Sequence, residues 1–265
     1  MRVRTRSALI ALALFIPFIY LGGGYFAGAV AVLGIVALYE LARMAQIPFG
    51  LTRGLVSLIA LLSMLLPQHY TPNFVNQHID ISVFFYLCCL LLLIDTVFRH
   101  RSFNFTQAAI LMLGALYIGS GFRFLILIRD MGIPTLMFLF IIIWSTDIGA
   151  YLVGRQYGKR QLAPAISPGK TVEGLLGGIG FSLVSALVFL FFFPMKHGGV
   201  QYVPLLIIFM SLFGQLGDLV ESAYKRLYGV KDSGKILPGH GGILDRFDST
   251  LFASIIMMVW TSLFR

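Results

Sequence analysis

Charged side chains are scarce in this sequence: Asp, Glu, Lys and Arg make up 12% of its 265 residues. Soluble domains carry about 25% charged residues. Half of that amount cannot cover the surface of a soluble protein of this size, which argues against an ordinary soluble enzyme and against a disordered chain. The apolar fraction is correspondingly high, at 58% with a mean hydropathy of +0.89. These values predict a membrane protein.

Cysteine is also rare, which argues against a secreted disulfide scaffold. The two cysteines, Cys88 and Cys89, are adjacent within an apolar run and are interpreted as membrane-buried thiols. A cleavable signal peptide is not evident, because no small-residue cleavage site leads into a polar mature chain. The first apolar run is therefore expected to be retained as a membrane span.

Acidic residues are outnumbered by basic ones, 11 to 20, which gives a net charge of +9. A basic balance can indicate nucleic acid. Here the basic residues lie between long apolar runs, so that anionic lipid headgroups or an anionic substrate fit better, and no nucleic-acid partner is expected.

Apolar runs long enough to cross a bilayer recur along the whole chain, since about 20 apolar residues suffice. They predict an all-α polytopic membrane protein with about nine transmembrane helices. The nine candidate spans are 7–24, 25–46, 51–67, 81–98, 104–121, 133–153, 172–194, 201–221 and 246–264. The stretch 117–132, interrupted by Arg123 and Arg129, is either a short re-entrant piece or an extension of the fifth span.

The distribution of Lys and Arg predicts the orientation. With a cytoplasmic N-terminus, which begins with Arg2, Arg4 and Arg6, sixteen of the 20 basic residues fall on the cytoplasmic side. Nine spans then place the C-terminus on the opposite side. We expect a single integral membrane domain over 1–265. In it, 1–132 is mainly scaffold and 133–265 holds the catalytic helices and two polar cytoplasmic segments, 147–173 and 218–248.

The second polar segment carries carboxylates at the membrane edge. Asp218, Ser222 and Lys225 are spaced to share one helix face, and Asp245 and Asp248 share a face at the start of the last span. A tight return between the two spans would bring the carboxylates together. It is built from Pro238, Gly239, Gly241 and Gly242.

Converging carboxylates repel one another unless they are neutralised, and hard oxygen ligands suit Mg²⁺ together with substrate phosphates. The alternative is a solvated loop with helix-capping Asp residues and positive-inside Lys residues. That alternative explains the basic residues but not the carboxylates beside a Gly-rich turn. The basic residues suited to phosphate are Lys225, Arg226, Lys231, Lys235 and Arg246.

The first polar segment adds Asp147, which lies inside an apolar run and is therefore a functional candidate, with a structural partner for a neighbouring helix as the alternative. Ser167, Lys170 and Thr171 lead into the seventh span, where the amides of a helix N-terminus can hold phosphate. Pro164 stands where a P-loop requires Gly, so that interpretation is rejected.

Four further features of the sequence lead to expectations about single residues or residue pairs. The G-x-x-x-G spacing from Gly174 to Gly178 predicts close helix packing. Glu40 either faces the same cleft as the site or pairs with Arg43. Asp95 and Arg99 are spaced for an i,i+4 ion pair. His240, between glycines, is a weak candidate for a phosphate contact.

Two stretches, together about 60 residues long, resemble the phosphatidate cytidylyltransferase family, also called CDP-diacylglycerol synthases. In the first stretch, Ser167-Pro168-x-Lys170-Thr171-x-Glu173-Gly174 is in register with the family pattern. The second stretch is similar to the family signature over Ser222-x-x-Lys225-Arg226-x₄-Lys231-Asp232-x₄-Leu237-Pro238-x-His240-Gly241-Gly242-x-x-Asp245-Arg246-x-Asp248.

The resemblance implies that CTP and phosphatidic acid react to give CDP-diacylglycerol and pyrophosphate. It also implies Mg²⁺ with room for a second cation, a multi-pass fold, a homodimer, and a bacterial inner membrane location with the site facing the cytoplasm. In this chemistry the metal ligands are Asp218, Asp245, Asp248 and Asp147. The catalytic set is Asp218, Asp245, Asp248, Lys225 and Arg226. The substrate contacts are Ser167, Lys170, Thr171, Ser222, Lys231, Asp232, Lys235, His240 and Arg246.

Two other functions remain open at this point. A transporter for an anionic substrate also uses intramembrane carboxylates and broken helices, although its polar residues should follow a path at midplane depth. A CTP-dependent lipid kinase would release CDP rather than pyrophosphate.

Overall fold

The computed structural model describes residues 13–71, 80–194, 202–236 and 241–264. Arg2, Arg4, Arg6 and His240 lie outside the described residues, as do Pro238 and Gly239 of the expected return. The helices are α1 (13–21), α2 (Gly23–Met44), α3 (Leu51–Leu65), α4 (Ile81–Phe98), α5 (Phe105–Asp130), α6 (Ile133–Tyr157), α7 (Val172–Phe192), α8 (Val203–Leu227) and α9 (Leu244–Leu263).

The chain is 79% helical, in agreement with an all-α polytopic membrane protein. Six described helices, α2 and α4 to α8, are long and apolar enough to cross a bilayer. The 15 residues of α3 span about 22 Å, which is less than the hydrocarbon core. The helix α9 begins with charged residues in its first turns. The count of nine spans and the orientation of the termini therefore stay predictions.

The uncertain stretch 117–132 is an extension of the fifth span rather than a re-entrant piece, because α5 runs without a break from Phe105 to Asp130. Arg129 lies in its last turn, where a cation is favourable for the helix dipole. The turn to α6 uses Gly132 at a φ of 127°, and Pro134 lies in the first turn of α6.

One departure from the all-α expectation is a two-stranded antiparallel hairpin between α6 and α7. It consists of β1 (Gln161–Ala163) and β2 (Ser167–Thr171), with Gln161 opposite Thr171. Ser167, Lys170 and Thr171 therefore lie on a strand that leads into α7. Thr171 caps that helix, since its Oγ1 accepts a hydrogen bond from the Gly174 N–H at 3.0 Å.

The described chain divides into two compact units. The first comprises residues up to Leu127 together with Asp232–Asp245, and the second comprises Ile128–Lys231 and the residues from Arg246 onward. Asp232–Asp245 connects α8 to α9 in the sequence but belongs to the first unit, whereas α8 and most of α9 belong to the second.

In the first unit, α2, α3 and α5 pack closely through glycines. A Cβ atom at Gly119 of α5 would lie 2.9 Å from the Leu61 carbonyl oxygen of α3. A Cβ at Gly34 of α2 would lie 2.6 Å from the Leu65 side chain. These approaches are closer than side chains allow, so the three helices depend on glycine at these points.

The first unit also buries an ion pair near the end of α4. Arg53 Nε lies 2.7 Å from Asp95 Oδ2, and the Arg53 guanidinium stacks 4.2 Å above the Phe103 ring. Arg99 reaches the other oxygen of Asp95 at 3.4 Å, which confirms the expected i,i+4 pair. The carboxylate is therefore shared, with Arg53 as its nearer and more deeply buried partner.

In the second unit, α6 and α7 meet along a glycine seam. A Cβ at Gly174 would lie 2.8 Å from the Ala150 carbonyl oxygen, and a Cβ at Gly178 would lie 2.8 Å from that of Thr146. The expectation that this G-x-x-x-G pair marks close helix packing is confirmed. On its other side, α6 is joined to α8 by a 2.8 Å hydrogen bond from Thr146 Oγ1 to Ser211 Oγ.

Candidate active site

Three helices of the second unit bring carboxylates together. Asp147 of α6 interacts electrostatically with Asp218 of α8 and with Asp248 of α9. The approach of α9 to α8 depends on Gly217, where a Cβ would lie 2.5 Å from the Asp248 carbonyl oxygen. Three of the four predicted metal ligands, Asp147, Asp218 and Asp248, thus lie within electrostatic reach of one another in this unit.

The most enclosed member of this cluster is Asp248, which is 8% exposed, beside Glu221, which is 1% exposed. The two carboxyl groups are within hydrogen-bonding range of each other. Lys225 Nζ lies 3.1 Å from Glu221 Oε2. Glu221 was not among the predicted site residues, although a carboxylate one turn after Asp218 in an apolar helix is a detectable signal.

The exposed side of the cluster is held by a lysine from the hairpin. Lys170 Nζ lies 2.6 Å from Asp218 Oδ2, and Ser222 Oγ donates a 3.3 Å hydrogen bond to Asp218 Oδ1. Asp147 also lies within the electrostatic reach of Lys170 and Arg246. Asp218, Ser222 and Lys225 lie in one uninterrupted helix, with the spacing that places them on one face, and Lys225 also pairs with Glu221.

A small cavity adjoins Asp147, whose side chain is itself exposed on the surface of the second unit. Thr146, Ser211 and Ser249 line this cavity beside apolar side chains. The cavity lies between α6, α8 and α9 and adjoins one carboxylate of the cluster, that of Asp147.

The hairpin is fixed to the second unit by side chains that bond to its backbone. Arg226 Nε donates to the Ile166 carbonyl oxygen at 3.1 Å. Glu173 Oε2 accepts from the backbone N–H groups of Lys159 and Arg160 at 3.0 and 3.2 Å. These bonds hold the strand that carries Lys170, and they give Arg226 a structural contact in addition to the phosphate role predicted for it.

Asp245 belongs to the first unit, and its carboxylate is engaged within its own loop. Oδ2 accepts hydrogen bonds from Ser233 N at 2.8 Å, Ser233 Oγ at 2.9 Å and Gly242 N at 2.7 Å. Gly241 adopts a φ of 81°, and a Cβ there would collide with Asp245. Asp232 and Lys235 in this unit, and Lys231 in the second, are exposed.

Glu40 faces the loop that carries Asp245, one of the predicted site residues, rather than Arg43. Its carboxylate is buried and accepts hydrogen bonds from Ser233 Oγ and from the backbone N–H groups of Ile243 and Leu244. These bonds tie the end of α2 to the loop before α9, and they replace the expected pairing with Arg43.

The acidic cluster of the second unit fits a cation by charge. Four carboxylates interact there with three basic side chains. The carboxylates are Asp147, Asp218, Glu221 and Asp248, and the basic residues are Lys170, Lys225 and Arg246. In the described parts of the chain, no three Asp, Glu, His or Cys side chains lie together in a way that could hold a metal ion. Mg²⁺ usually takes one or two carboxylates and completes its shell with water and substrate phosphates.

Comparisons with known proteins point to one family. A model of the cytidylyltransferase family matches residues 2–264. Phosphatidate cytidylyltransferase of Staphylococcus aureus (strain COL) is 43% identical over 252 residues, which cover 95% of each chain. The proteins of the same name from Staphylococcus haemolyticus (strain JCSC1435) and Staphylococcus epidermidis (strain ATCC 12228 / FDA PCI 1200) are each 42% identical, again over 95% of each chain.

Proposed function

The chain belongs to the cytidylyltransferase family of nucleotide-transferring enzymes, and from this premise we propose that it converts CTP and phosphatidic acid into CDP-diacylglycerol and pyrophosphate. The observation that carries the proposal is the acidic cluster of Asp147, Asp218 and Asp248 in the second unit. Asp248 is part of the stretch that resembles the family signature. The relative named phosphatidate cytidylyltransferase matches this chain over 95% of its own length.

In the proposed reaction, a phosphate oxygen of phosphatidic acid attacks the α-phosphorus of CTP. A bond forms between them, and the bond from that phosphorus to the β-bridging oxygen breaks, so that its electron pair leaves with pyrophosphate. The nucleophile is already an anionic oxygen and needs no strong base. The protein must therefore supply positioning and charge neutralisation.

Asp218 and Asp248 would hold Mg²⁺, with Asp147 contributing, since these three carboxylates lie within electrostatic reach of one another and repel unless a cation neutralises them. When bound, the metal would supply neutralisation of the charge that develops on the phosphates, and a second cation is proposed beside it. Asp245 was predicted as a further ligand. Its Oδ2 accepts three hydrogen bonds within its own loop.

Lys170 and Lys225 would neutralise the triphosphate and the departing pyrophosphate. Each is held by a carboxylate, Asp218 or Glu221, that keeps its ammonium group at the cluster before substrate binds. Ser167, Thr171 and Ser222 have hydroxyl groups suited to phosphate contacts. The remaining predicted contacts are Arg226, Lys231, Asp232, Lys235, His240 and Arg246.

The location and assembly follow from the same proposal. The apolar helices and the bacterial relatives support a multi-pass protein of a bacterial inner membrane. With the predicted topology, most Lys and Arg residues lie on the same side of the membrane as the N-terminus. This excess supports a site that faces the cytoplasm. A homodimer is proposed by resemblance to the family.

The decisive test follows the products. Purified protein in detergent is incubated with CTP labelled in its cytosine, phosphatidic acid and Mg²⁺. We expect labelled CDP-diacylglycerol and an equal amount of pyrophosphate. Release of CDP with a phosphorylated lipid would indicate a CTP-dependent kinase. A protein that yields no liponucleotide but moves anions into vesicles would be a transporter, and either result would overturn the proposal.

A further inference from the structure

We infer that Glu40 is a positioning residue for this transfer. It anchors both ends of the loop that leads into α9, at Ser233 and at Ile243–Leu244. The expected effect of Glu40 on the rate of transfer rests on the proposed function. The hydrogen bonds by which Glu40 anchors the loop do not. The expectation that the N-terminal half is mainly scaffold assigns no such role to this residue.

Both carboxylate oxygens of Glu40 accept hydrogen bonds from the loop. Oε1 accepts from Ile243 N at 3.0 Å, and Oε2 accepts from Leu244 N at 3.0 Å. Ser233 Oγ lies 3.2 Å from Oε2. The residue is 2% exposed, so water does not replace these partners. A buried charge with this many donors is held in one arrangement.

The loop has glycine at two of the positions where it meets this carboxylate. A Cβ at Gly234 or Gly242 would collide with the Glu40 carboxylate, and the latter would also collide with Ser233 Oγ. Two glycines, eight positions apart, thus leave the space that Glu40 fills. The segment is shaped around this one side chain.

Ser233 connects Glu40 to Asp245. Its Oγ lies 2.9 Å from Asp245 Oδ2 and 3.2 Å from Glu40 Oε2, and it receives the Asp245 N–H at 3.3 Å. One hydroxyl proton cannot serve both carboxylates at once. The network therefore depends on the fixed backbone donors, and Glu40 restrains the backbone at the point where α9 begins.

The position of that backbone sets the direction in which the first turn of α9 presents its side chains. Asp245 lies in this turn, and Asp248 follows one turn later on the same helix. Loss of the anchor would let the helix start fray or rotate. Glu40 therefore acts through the loop that it holds.

Glu40→Gln is the informative variant, because it keeps the size of the side chain and removes one acceptor. The amide NH₂ would face a backbone N–H of Ile243 or Leu244, donor against donor. In hydrogen–deuterium exchange of the protein in detergent, we expect these two amides to exchange about tenfold faster or more. Ser233→Ala, which removes one hydroxyl, should give a smaller increase.

Glu173→Gln is the matched control for exchange. Glu173 also accepts two backbone N–H bonds, from Lys159 and Arg160 in the second unit. Its replacement should accelerate exchange at those residues and leave Ile243 and Leu244 unchanged. If Glu40→Gln leaves exchange at Ile243 and Leu244 at the wild-type rate, the inferred anchoring role of Glu40 is wrong, whatever the activity of the variant.

The positioning role is tested by kcat per folded molecule, measured well below the unfolding temperature. For Glu40→Gln we expect kcat to fall by about 10- to 100-fold while KM for CTP changes less. Asp80→Asn, at the exposed start of α4, should leave kcat unchanged. If exchange accelerates but kcat of the folded variant equals that of wild type, the network is only structural and the inference fails. If the wild type makes no CDP-diacylglycerol, the proposed function fails, and exchange alone decides the anchor.

Discussion

At the scale of single residues, the contact between Asp248 and Glu221 is the least ordinary feature of the second unit. Both carboxyl groups are buried and within hydrogen-bonding range of each other. Two adjacent carboxylates in such surroundings cannot both carry a full charge without a proton or a cation between them. Lys225 neutralises Glu221 from one side, so the unbalanced charge falls on Asp248.

Asp248→Asn should abolish most of the activity without unfolding the protein. The amide keeps the shape of the side chain but removes the charge that would hold a cation. We expect the initial rate of CDP-diacylglycerol formation to fall by about 10²-fold or more. The unfolding midpoint in detergent should stay the same or rise, since a like-charge contact is lost. A rate within twofold of wild type would remove Asp248 from the reaction.

Lys170 provides a second residue-scale prediction. Its ammonium group lies 2.6 Å from Asp218 and is carried there by the hairpin. Lys170→Met should lower kcat/KM for CTP by about tenfold or more, because a charge facing the triphosphate is lost. Lys170→Arg keeps the charge and should retain more of the activity. Steady-state rates over a CTP series would show this, and equal values for the two variants would contradict a role for the charge.

At the scale of elements, α6 and α7 depend on a glycine seam that offers a matched pair of variants. A Cβ at Gly178 would lie 2.8 Å from the Thr146 carbonyl oxygen, whereas a Cβ at Gly180 meets nothing within 4 Å. Gly178→Ala should lower the free energy of unfolding by about 1–3 kcal/mol. Gly180→Ala, the same change two residues along α7, should be neutral or stabilising by up to about 1 kcal/mol.

The measurement for this pair is the unfolding midpoint of each variant in detergent. Both substitutions replace glycine by alanine within one helix, so helix propensity contributes equally to each. The difference between them therefore reports the contact with α6. Equal midpoints would mean that the two helices can separate slightly at no cost, and that the seam does not determine their packing.

The positions of the helices could largely be predicted from hydropathy, but their ends could not. The sixth span was expected over 133–153 and the eighth over 201–221, whereas α6 reaches Tyr157 and α8 reaches Leu227. A hydropathy pattern stops where polar residues begin, while a helix continues as long as its backbone bonds are made. The hairpin had no signal either, since Ser167–Thr171 lacks strand alternation and is held in part by a bond from Arg226.

For the candidate site, the sequence likewise allowed some residues to be selected but did not reveal their partners. Asp218 and Asp248 could be selected because carboxylates at helix ends in an apolar chain are costly and therefore informative. The partners of these residues could not be predicted, because Lys170 reaches Asp218 across 48 positions and Glu40 meets Leu244 across 204. Contacts at such separations leave no local pattern. They arise only when helices distant in sequence are packed together.

At the scale of the whole molecule, the orientation in the membrane decides where CTP must arrive. The prediction of a cytoplasmic N-terminus places the hairpin inside the cell and the linker after α3 outside. Two positions report on these sides. Gly169 is exposed on the hairpin with open space around it, and the half-buried Thr71 follows α3. Cys88 and Cys89 would first be replaced by Ala, so that a single thiol remains.

In intact spheroplasts, a membrane-impermeant maleimide should label Thr71→Cys but not Gly169→Cys. After lysis it should label both, because the hairpin then becomes accessible. The opposite pattern would place the hairpin outside the cell, where CTP is absent. Since Lys170 of this hairpin contacts Asp218, the acidic cluster would then also lie outside, and a CTP-dependent reaction there would lose its substrate supply. Labelling thus tests the physical premise on which the entire reaction depends.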